Sequence, residues 1–455
     1  MTEVINISSV QKAYFIGIGG IGMSALARFF HQQGAIVSGY DRTETDLTKT
    51  LIKEGIFVHY DDDPLKCPID ADIVVYTPAI PSDNKIVLSC KERGVRLLKR
   101  SDVLQIISRG TYNICIAGTH GKTTTSAMVA HILRDSGYGC NAFLGGISTN
   151  YQSNFWSSPN PVAVIEADEY DRSFLKLYPD VISISSMDPD HLDIYGTPEQ
   201  MESAFIQFTH NIKSTGLLLT KKGLKREGDF KASNHLTYSM SDIDAHVHVE
   251  DFSIKSGSYH YSVVGRGWKI TDVELNMGGK HNVENSIVAI TIAKHLGIAD
   301  EKIKKAIAGF KGVKRRFEYI IKSDEIIYID DYAHHPEELR MLLTSVKELY
   351  GDQKCTIIFQ PHLYTRTRDL AEEFARSLDI ADRVLLLPVY PARELPITGV
   401  DSSIIADKMK SEVQLVEMME LTNKIEELRP TLLITAGAGD IDKMIQPLKA
   451  SLLRA

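Results

Sequence analysis

The run Ile116-Ala-Gly-Thr-His-Gly-Lys-Thr-Thr-Thr-Ser126 decides how the middle of this chain folds. An apolar stretch from Tyr112 to Ala117 comes directly before it and is typical of a buried strand. Small residues and glycines then form a sharp turn. A helix follows, because apolar side chains recur at helical spacing at Met128, Val129, Ile132 and Leu133. Strand, tight turn and helix in this order predict a phosphate-binding loop.

The residue types in the loop fit that chemistry. Gly118 and Gly121 let backbone N–H groups close around a polyphosphate, Lys122 reaches the β- and γ-phosphates, and the Thr123 hydroxyl binds Mg²⁺. The full G-x-x-x-x-G-K-[ST] pattern requires glycine where this chain has Ile116. The alternative is a tight strand-to-helix turn with a surface lysine.

Composition limits the function classes. A chain of 455 residues predicts two to four domains, and 43% hydrophobic with 24% charged residues is typical of a globular protein. The net charge of −8 argues against a general nucleic-acid binder. Five scattered cysteines without a C-x-x-C pair predict no disulfide framework and no zinc ribbon. With no signal sequence and no membrane-spanning run, we expect a cytoplasmic protein without a membrane partner.

A second glycine-rich turn occurs near the start of the chain. The run Gly17-Ile-Gly-Gly-Ile-Gly22 lies between a predicted strand, 13–18, and a helix that continues through Phe30. A second strand, 35–40, ends in Asp41, as in the opening of a dinucleotide-binding βαβ unit. Three interpretations remain open: a nicotinamide site, a site for another nucleotide diphosphate, or close packing of strand on helix. Asp41 is either a ribose partner or an ordinary turn residue.

Two acidic clusters follow predicted strands downstream of the phosphate loop. The first is Glu166-Ala-Asp-Glu-Tyr-Asp171, after strand 161–165, and the second is Met187-Asp-Pro-Asp-His-Leu-Asp193, after strand 181–185. Carboxylates at the ends of parallel strands lie where nucleotide and metal chemistry occurs in α/β folds. Either cluster alone is more simply a solvated acidic turn. Together, downstream of a phosphate loop, they predict groups that hold the cations of a triphosphate.

The rest of the chain extends the α/β pattern. Short alternating stretches between 217 and 275 predict a small antiparallel sheet. From about 313 onward, strand-like and helical runs alternate again, and polar clusters follow four of the strands at 330–335, 360–366, 390–394 and 437–440. Four clusters on one rim are typical of a binding face. The predicted domains are 1–108, 109–312 and 313–455.

At this point the chain resembles the Mur ligase family of peptidoglycan synthesis. The resemblance covers essentially the whole chain and rests on the motifs Gly118–Thr124, Glu166–Glu169, Asp188–His191, Lys280–Asn282, Lys314–Glu318, Asp330–Pro336 and Gln360–His362. It implies a Rossmann-like N-terminal domain that binds UDP, a central ATPase-like domain with a mostly parallel sheet plus a small antiparallel sheet, and a Rossmann-like C-terminal α/β domain. The glycine motif would then hold the UDP of a sugar nucleotide, not NAD.

The resemblance also implies residue roles. Metal would be held by Thr123, Glu166 and His191, and catalytic groups would be Lys122, His191, His334 and Arg366. ATP would contact Gly118, Thr119, His120, Gly121, Lys122, Thr123, Thr124, His281, Asn282, Arg315, Arg316 and Asp330. The UDP-sugar would contact Gly17, Gly19, Gly20, Ile21, Gly22, Met23, Ser24, Asp41 and Thr77.

Within the family, the motifs are most similar to members that use ATP and Mg²⁺ to join L-alanine to the lactyl carboxylate of UDP-N-acetylmuramate. These members imply an acyl-phosphate intermediate and a monomer or weak homodimer. One alternative is a recycling ligase that attaches a murein tripeptide to the same sugar nucleotide. Alternatives from other classes are a nicotinamide-dependent oxidoreductase and a nucleotide sensor. The family usually has a basic residue where this chain has Leu363, so that role would pass to Arg366 or Arg393.

Overall fold

The computed structural model describes residues 7–351, 353–392 and 394–454. These residues form two compact units. The first runs up to Glu250 and includes Ser262–Val273 and Glu284–Ile307. The second consists of Asp251–Tyr261, Glu274–Val283 and the chain from Ala308 onward. Arg393, one candidate for the missing basic role, lies outside the described residues.

The N-terminal sheet has five parallel strands in the order β3-β2-β1-β4-β5. Its elements are β1 (Lys12–Ile16), α1 (Ile21–Gln32), β2 (Ile36–Tyr40), α2 (Asp46–Lys53), β3 (Phe57–His59), β4 (Ile73–Tyr76), α3 (Lys85–Glu92), β5 (Leu97–Lys99) and α4 (Arg100–Arg109), with 3₁₀ turns at Ile7–Ser9 and Pro64–Lys66. The strand order reverses beside β1, and ligands bind at such switch points in open α/β sheets. The glycine turn follows β1.

The central sheet has ten strands in the order β15-β14-β13-β12-β11-β10-β6-β9-β7-β8. Its elements are β6 (Tyr112–Ala117), α5 (Lys122–Asp135), β7 (Asn141–Ser148), β8 (Ser153–Trp156), β9 (Val162–Glu166), β10 (Val181–Ile184), α6 (Leu192–Tyr195), α7 (Pro198–Thr209), β11 (Leu217–Lys221), β12 (Asn234–Ser239), β13 (Val247–Lys255), β14 (Ser258–Gly265), β15 (Trp268–Leu275), α8 (Lys280–His295) and α9 (Asp300–Gly309), with 3₁₀ turns at Tyr170–Lys176 and Glu227–Asp229. The pairs from β7 to β13 are parallel, and β7 and β8 form an antiparallel pair.

The position of β6 explains how one site forms in this sheet. β6 pairs in parallel with β9 on one side and with β10 on the other. The phosphate loop follows β6, and the two acidic clusters follow β9 and β10. Because the carboxyl ends of parallel strands meet at one edge of a sheet, three segments that are distant in sequence come together there.

The C-terminal sheet has six strands in the order β16-β17-β21-β18-β19-β20, all parallel except for the antiparallel β16. Its elements are β16 (Glu318–Lys322), β17 (Ile327–Asp331), α10 (Pro336–Tyr350), β18 (Cys355–Phe359), α11 (Tyr364–Asp369), α12 (Ala371–Leu378), β19 (Arg383–Leu386), α13 (Ser403–Ala406), β20 (Glu412–Leu415), α14 (Leu421–Leu428), β21 (Leu432–Ala436) and α15 (Ile445–Leu452), with 3₁₀ turns at Met418–Glu420 and Asp440–Met444. The four predicted polar clusters follow β17, β18, β19 and β21.

The α/β prediction is confirmed by these three sheets and their helices. The strands predicted between 217 and 275 join the end of the central sheet as β13, β14 and β15. The domain boundaries stay predictions: the first falls at the end of α4, and the second falls between α9 and β16.

Candidate functional site

The phosphate loop turns sharply between β6 and α5. Gly118 and Gly121 have φ values of +124° and +81°, a left-handed region that side chains with a Cβ rarely adopt. Gly121 is the residue directly before the first turn of α5. The loop is held from the end of β10, where Ser185 Oγ donates to the His120 carbonyl (2.5 Å) and Ser186 Oγ accepts from the His120 N–H (3.0 Å). These contacts fix the shape of the loop. The N–H groups of the first turn of α5, which have no partner within the helix, therefore open onto a loop that is already shaped to hold an anion.

Lys122 is not a surface lysine. Its Nζ donates to both carboxylate oxygens of Glu169, at 2.7 Å each, and to the Gly118 carbonyl at 2.8 Å. The Glu169 side chain is 1% exposed. Burial raises the pKa of Glu169, and the Lys122 ammonium opposes this rise. The loop lysine is thus fixed by a buried carboxylate whose role was not predicted from the sequence, although Glu169 belongs to the first acidic cluster.

Thr123 and Glu166 form the second contact between the loop and the first acidic cluster. Thr123 Oγ1 donates to Glu166 Oε1 at 2.8 Å, and Glu166 Oε2 accepts from the Gly145 N–H at 2.8 Å. A hydroxyl and a carboxylate at the end of a phosphate loop are hard oxygen ligands, which Mg²⁺ prefers. These two residues fit a magnesium ion by their donor chemistry.

His191 lies in a different group of potential ligands. One ligand atom each of Glu169, Asp190 and His191 lies within 4.8 Å of the others. His191 has a φ of +50°, and its ring packs edge-on against Tyr170, with centroids 5.2 Å apart. The structure thus brings His191 to the carboxylate that holds Lys122. The three residues predicted to bind the metal therefore belong to two contacts. Thr123 bonds Glu166, and His191 lies close to Glu169.

The other predicted residues of the loop lie around these contacts. Thr119 Oγ1 is 2.8 Å from Ser186 Oγ. His120 is exposed, and its Nε2 lies 3.4 Å from Asp188 Oδ2. Thr124 is buried in the first turn of α5.

The N-terminal glycine motif forms a second turn of the same type. Gly17 has a φ of +86°, and α1 begins at Ile21. The Asp41 carboxylate accepts from the Gly19 N–H at 2.8 Å, so it braces the turn in this structure. Thr77 packs on Gly17, since a Cβ there would lie 2.6 Å from Thr77 Cγ2. The structure therefore brings the predicted sugar-nucleotide residues to one turn, with Asp41 and Thr77 in contact with it: Gly17, Gly19, Gly20, Ile21, Gly22, Met23, Ser24, Asp41 and Thr77.

The remaining predicted ATP residues belong to the second unit. Arg315 donates from Nε to Asp330 Oδ2 (3.1 Å) and from Nη2 to the Gly437 carbonyl (2.5 Å). Thr435 Oγ1 donates to Asp330 Oδ1 at 2.6 Å. Burial raises the pKa of Asp330 to about 7, although the Arg315 guanidinium opposes the rise. Arg315 and Asp330 thus link the clusters that follow β17 and β21.

Three further residues of the second unit were predicted to contact ATP. His281 and Arg316 are exposed. Asn282 is buried in the first turn of α8, and its Nδ2 donates to the Gly278 carbonyl at 2.6 Å.

Histidines and an arginine gather on the rim of the C-terminal sheet. His334 Nδ1 donates to the Tyr332 carbonyl at 3.0 Å, and the His334 and His362 rings lie 5.9 Å apart. His362 stacks on Tyr390 with centroids 5.8 Å apart. Arg366 Nη1 contacts the His334 carbonyl at 3.4 Å. The clusters after β17, β18 and β19 therefore meet, as expected for one binding face.

No helix in the described part of the chain is both long and apolar enough to cross a membrane. The fold and the site together define a class of protein with three α/β domains and a phosphate loop. The lysine and the threonine of this loop are each paired with a carboxylate.

Comparisons with known proteins agree with this class. The Mur ligase family, catalytic domain, matches residues 12–112, the Mur ligase middle domain matches 116–293, and the Mur ligase, glutamate ligase domain, matches 315–441. The chain is 46% identical to a UDP-N-acetylmuramate–L-alanine ligase from Parabacteroides distasonis over 99% of both chains. It is 43% identical to one from Flavobacterium johnsoniae, over 98% of this chain and 99% of the relative.

Solved structures give the same result. A UDP-N-acetylmuramate–alanine ligase from Thermotoga maritima superposes with a TM-score of 0.80 at 29% identity, covering 97% of this chain and 99% of the other. A murein peptide ligase from Psychrobacter arcticus shares the fold, with a TM-score of 0.66 at 22% identity, over 97% of this chain and 98% of that one. The chain belongs to the Mur ligase family, whose members are ATP-dependent ligases.

Proposed function

We propose that this enzyme joins L-alanine to the lactyl carboxylate of UDP-N-acetylmuramate and converts ATP to ADP and phosphate, as a step of peptidoglycan precursor synthesis. The relatives that share 46% and 43% of its residues over nearly their whole length carry this activity in their names. One structural observation supports an ATP-dependent ligation most strongly. Lys122 and Thr123 lie at the N-terminus of one helix, and each bonds a carboxylate at or just after the end of the neighbouring strand.

The first step activates the carboxylate. A lactyl oxygen attacks the γ-phosphorus of ATP, the bond to the β,γ-bridging oxygen breaks, and ADP leaves, giving an acyl phosphate. Both partners are anions, so their repulsion is the main electrostatic obstacle. Lys122 and the backbone N–H groups of the loop offset this repulsion at the transferred phosphoryl group. A magnesium ion held by Thr123 and Glu166, with His191 nearby, would supply further neutralisation of the triphosphate.

The second step forms the peptide bond. The amine of L-alanine attacks the acyl carbon, a tetrahedral intermediate forms, and its collapse expels phosphate. The amine attacks only when it is neutral, so a base must accept its proton. His191, His334 and a carboxylate of the site are the candidates. Arg366, on the same rim as His334, is suited to the carboxylate of the incoming amino acid because arginine binds carboxylates in a bidentate manner.

The sugar nucleotide belongs, in this proposal, on the glycine motif of the N-terminal domain. The turn from Gly17 to Gly22 presents the free N–H groups of α1 at the switch point of the sheet, and a diphosphate binds well to such a helix N-terminus.

Isotope transfer tests this mechanism directly. UDP-N-acetylmuramate labelled with ¹⁸O in its lactyl carboxylate is incubated with ATP, Mg²⁺ and L-alanine, and the released phosphate is analysed by mass spectrometry. Because the acyl phosphate keeps one carboxylate oxygen on phosphorus, the phosphate should carry one ¹⁸O, and the product should be UDP-N-acetylmuramoyl-L-alanine. Unlabelled phosphate, or ATP cleavage without this product, would refute the proposal.

A further inference from the structure

Arg100 lies between the N-terminal glycine turn and the first acidic cluster of the first unit. It is the first residue of α4, and its side chain packs on Gly22, the last glycine of the G-x-G-x-x-G motif. A Cβ at Gly22 would lie 2.6 Å from Arg100 Nη1 and 2.9 Å from its Cδ. Gly22 is not among the glycines with positive φ. The absence of a side chain at Gly22 therefore serves to admit the guanidinium, since the backbone there does not require glycine.

The other edge of the guanidinium faces the first acidic cluster. Arg100 Nη2 donates to Asp168 Oδ2 at 3.2 Å. Arg100, Glu166 and Asp168 line one small recess. Asp168 lies between Glu166, which bonds Thr123, and Glu169, which holds Lys122. The guanidinium thus lies between the turn suited to a diphosphate and the loop that contacts the ATP-binding residues.

The ion pair with Asp168 does not by itself explain this placement. Both side chains are partly exposed, at 28% and 37%, and ion pairs of this kind contribute little to stability. Two other ion pairs already join the start of α4 to the segment after β9. Lys99 pairs with Asp171 (3.2 Å), and Asp102 pairs with Lys176 (2.6 Å). A third brace adds little. A cation beside the free N–H groups of α1 has a clearer use toward a phosphate.

We propose that Arg100 is a substrate-positioning residue that binds the diphosphate of the sugar nucleotide. This inference rests on the proposed function, since it assigns the sugar nucleotide to the glycine turn. The guanidinium exchanges Asp168 for phosphate oxygens, which bear more charge and match the planar fork of arginine. Bound there, it fixes the diphosphate linker between the uridine and the sugar and so sets where the lactyl carboxylate meets ATP.

Binding and kinetics of four variants test the proposal. Isothermal titration with UDP-N-acetylmuramate and steady-state kinetics are measured for the wild type, Arg100→Gln, Gly22→Ala, Asp168→Asn and the neighbouring control Lys99→Gln. Loss of a charge-assisted hydrogen bond is expected to raise the Kd and KM for the sugar nucleotide by roughly 10- to 100-fold in Arg100→Gln, with the KM for ATP unchanged. Gly22→Ala should raise the same KM by displacing the guanidinium, and adding Arg100→Gln to it should then raise this KM little further. Asp168→Asn and Lys99→Gln should not raise this KM.

The outcomes separate this inference from the proposed function. If the wild type binds UDP-N-acetylmuramate and Arg100→Gln binds it equally well, the role of Arg100 is refuted while the proposed function stands. Equal defects in Arg100→Gln and Asp168→Asn, or a raised KM for ATP, would show that Arg100 only braces the acidic loop. If the wild type itself binds no UDP-N-acetylmuramate, both proposals fail. Should Arg100→Gln prove unstable, Arg100→Lys, which keeps the positive charge but loses the planar fork, provides the same comparison.

Discussion

The Nζ atom of Lys122 lies 2.7 Å from both carboxylate oxygens of Glu169, a side chain that is almost fully buried. The lysine that would serve the phosphates of ATP is therefore also the partner of a buried acid. Removing one member of a buried pair leaves an uncompensated charge, whereas removing both does not. Single and double variants of these two residues should therefore distinguish an effect on stability from an effect on catalysis.

We predict that Lys122→Ala abolishes ligation and also lowers the free energy of unfolding by roughly 3–5 kcal/mol. The double variant Lys122→Ala/Glu169→Gln should recover most of that stability and none of the activity. Urea denaturation and an ADP-release assay measure the two effects. A single variant as stable as the wild type would contradict the inferred cost of leaving Glu169 unpaired.

Thr123→Val should raise the magnesium concentration needed for half-maximal activity, because it removes the hydroxyl that bonds Glu166 at 2.8 Å. Loss of one oxygen ligand is expected to weaken the ion's binding by about tenfold or more, with partial rescue at high Mg²⁺. The matched control is Thr125→Val on the same helix, which keeps the Thr123–Glu166 contact. An unchanged magnesium dependence in Thr123→Val would remove this residue from the proposed metal set.

The raised pKa of Asp330 leads us to predict that the stability of the protein depends on pH. Burial raises the pKa of its carboxyl to about 7, so the folded state holds a proton that the unfolded state has lost above about pH 4. The contribution of Asp330 is therefore fully present below about pH 4 and is lost as the pH rises toward 7. The free energy of unfolding of the wild type, relative to Asp330→Asn, should fall by up to about 1.4 kcal/mol per pH unit across this window.

Denaturant unfolding of both proteins at several pH values measures this difference. A difference that rises with pH would mean that the Arg315 guanidinium, 3.1 Å away, outweighs burial and holds the carboxylate in its charged form.

Arg366→Ala should raise the KM for L-alanine by roughly 10- to 100-fold, because a charge-assisted contact to the amino-acid carboxylate is lost, while the KM for ATP stays the same. Arg368→Ala is the matched control: Arg368 lies on the same short helix but is exposed and pairs with Asp369. Steady-state kinetics with L-alanine as the varied substrate decide the matter. Equal effects in both variants would argue against a specific role for Arg366.

Local patterns predicted the elements on which the site is built. The strand from Tyr112 to Ala117 has the expected bounds. Before the acidic clusters, β9 is shifted by one residue from the predicted strand 161–165, and β10 ends one residue before the end of the predicted strand 181–185. These segments are apolar, are bounded by turn residues and lie in the middle of a sheet, where sequence pattern and burial agree.

The hairpin formed by β7 and β8 was not predicted. β7 contains Gly145 and Gly146, which weaken a strand pattern, and it is ordered by pairing with β9, a contact that depends on the tertiary fold. For the same reason the sequence identified the acidic clusters without revealing that Glu169, three residues after Glu166, bonds Lys122. The role proposed for Arg100 likewise depends on packing against a glycine that is 78 positions earlier in the chain.

ADP release measured with UDP-N-acetylmuramate and either L-alanine or the murein tripeptide as the acceptor decides which amino component this enzyme joins to the sugar nucleotide. We predict rapid ADP release with L-alanine and little with the tripeptide, and Lys122→Ala should release none with either. Faster turnover with the tripeptide would contradict the assignment to the alanine-adding reaction and favour the recycling reaction. Release with neither acceptor would contradict a ligase that acts on this sugar nucleotide.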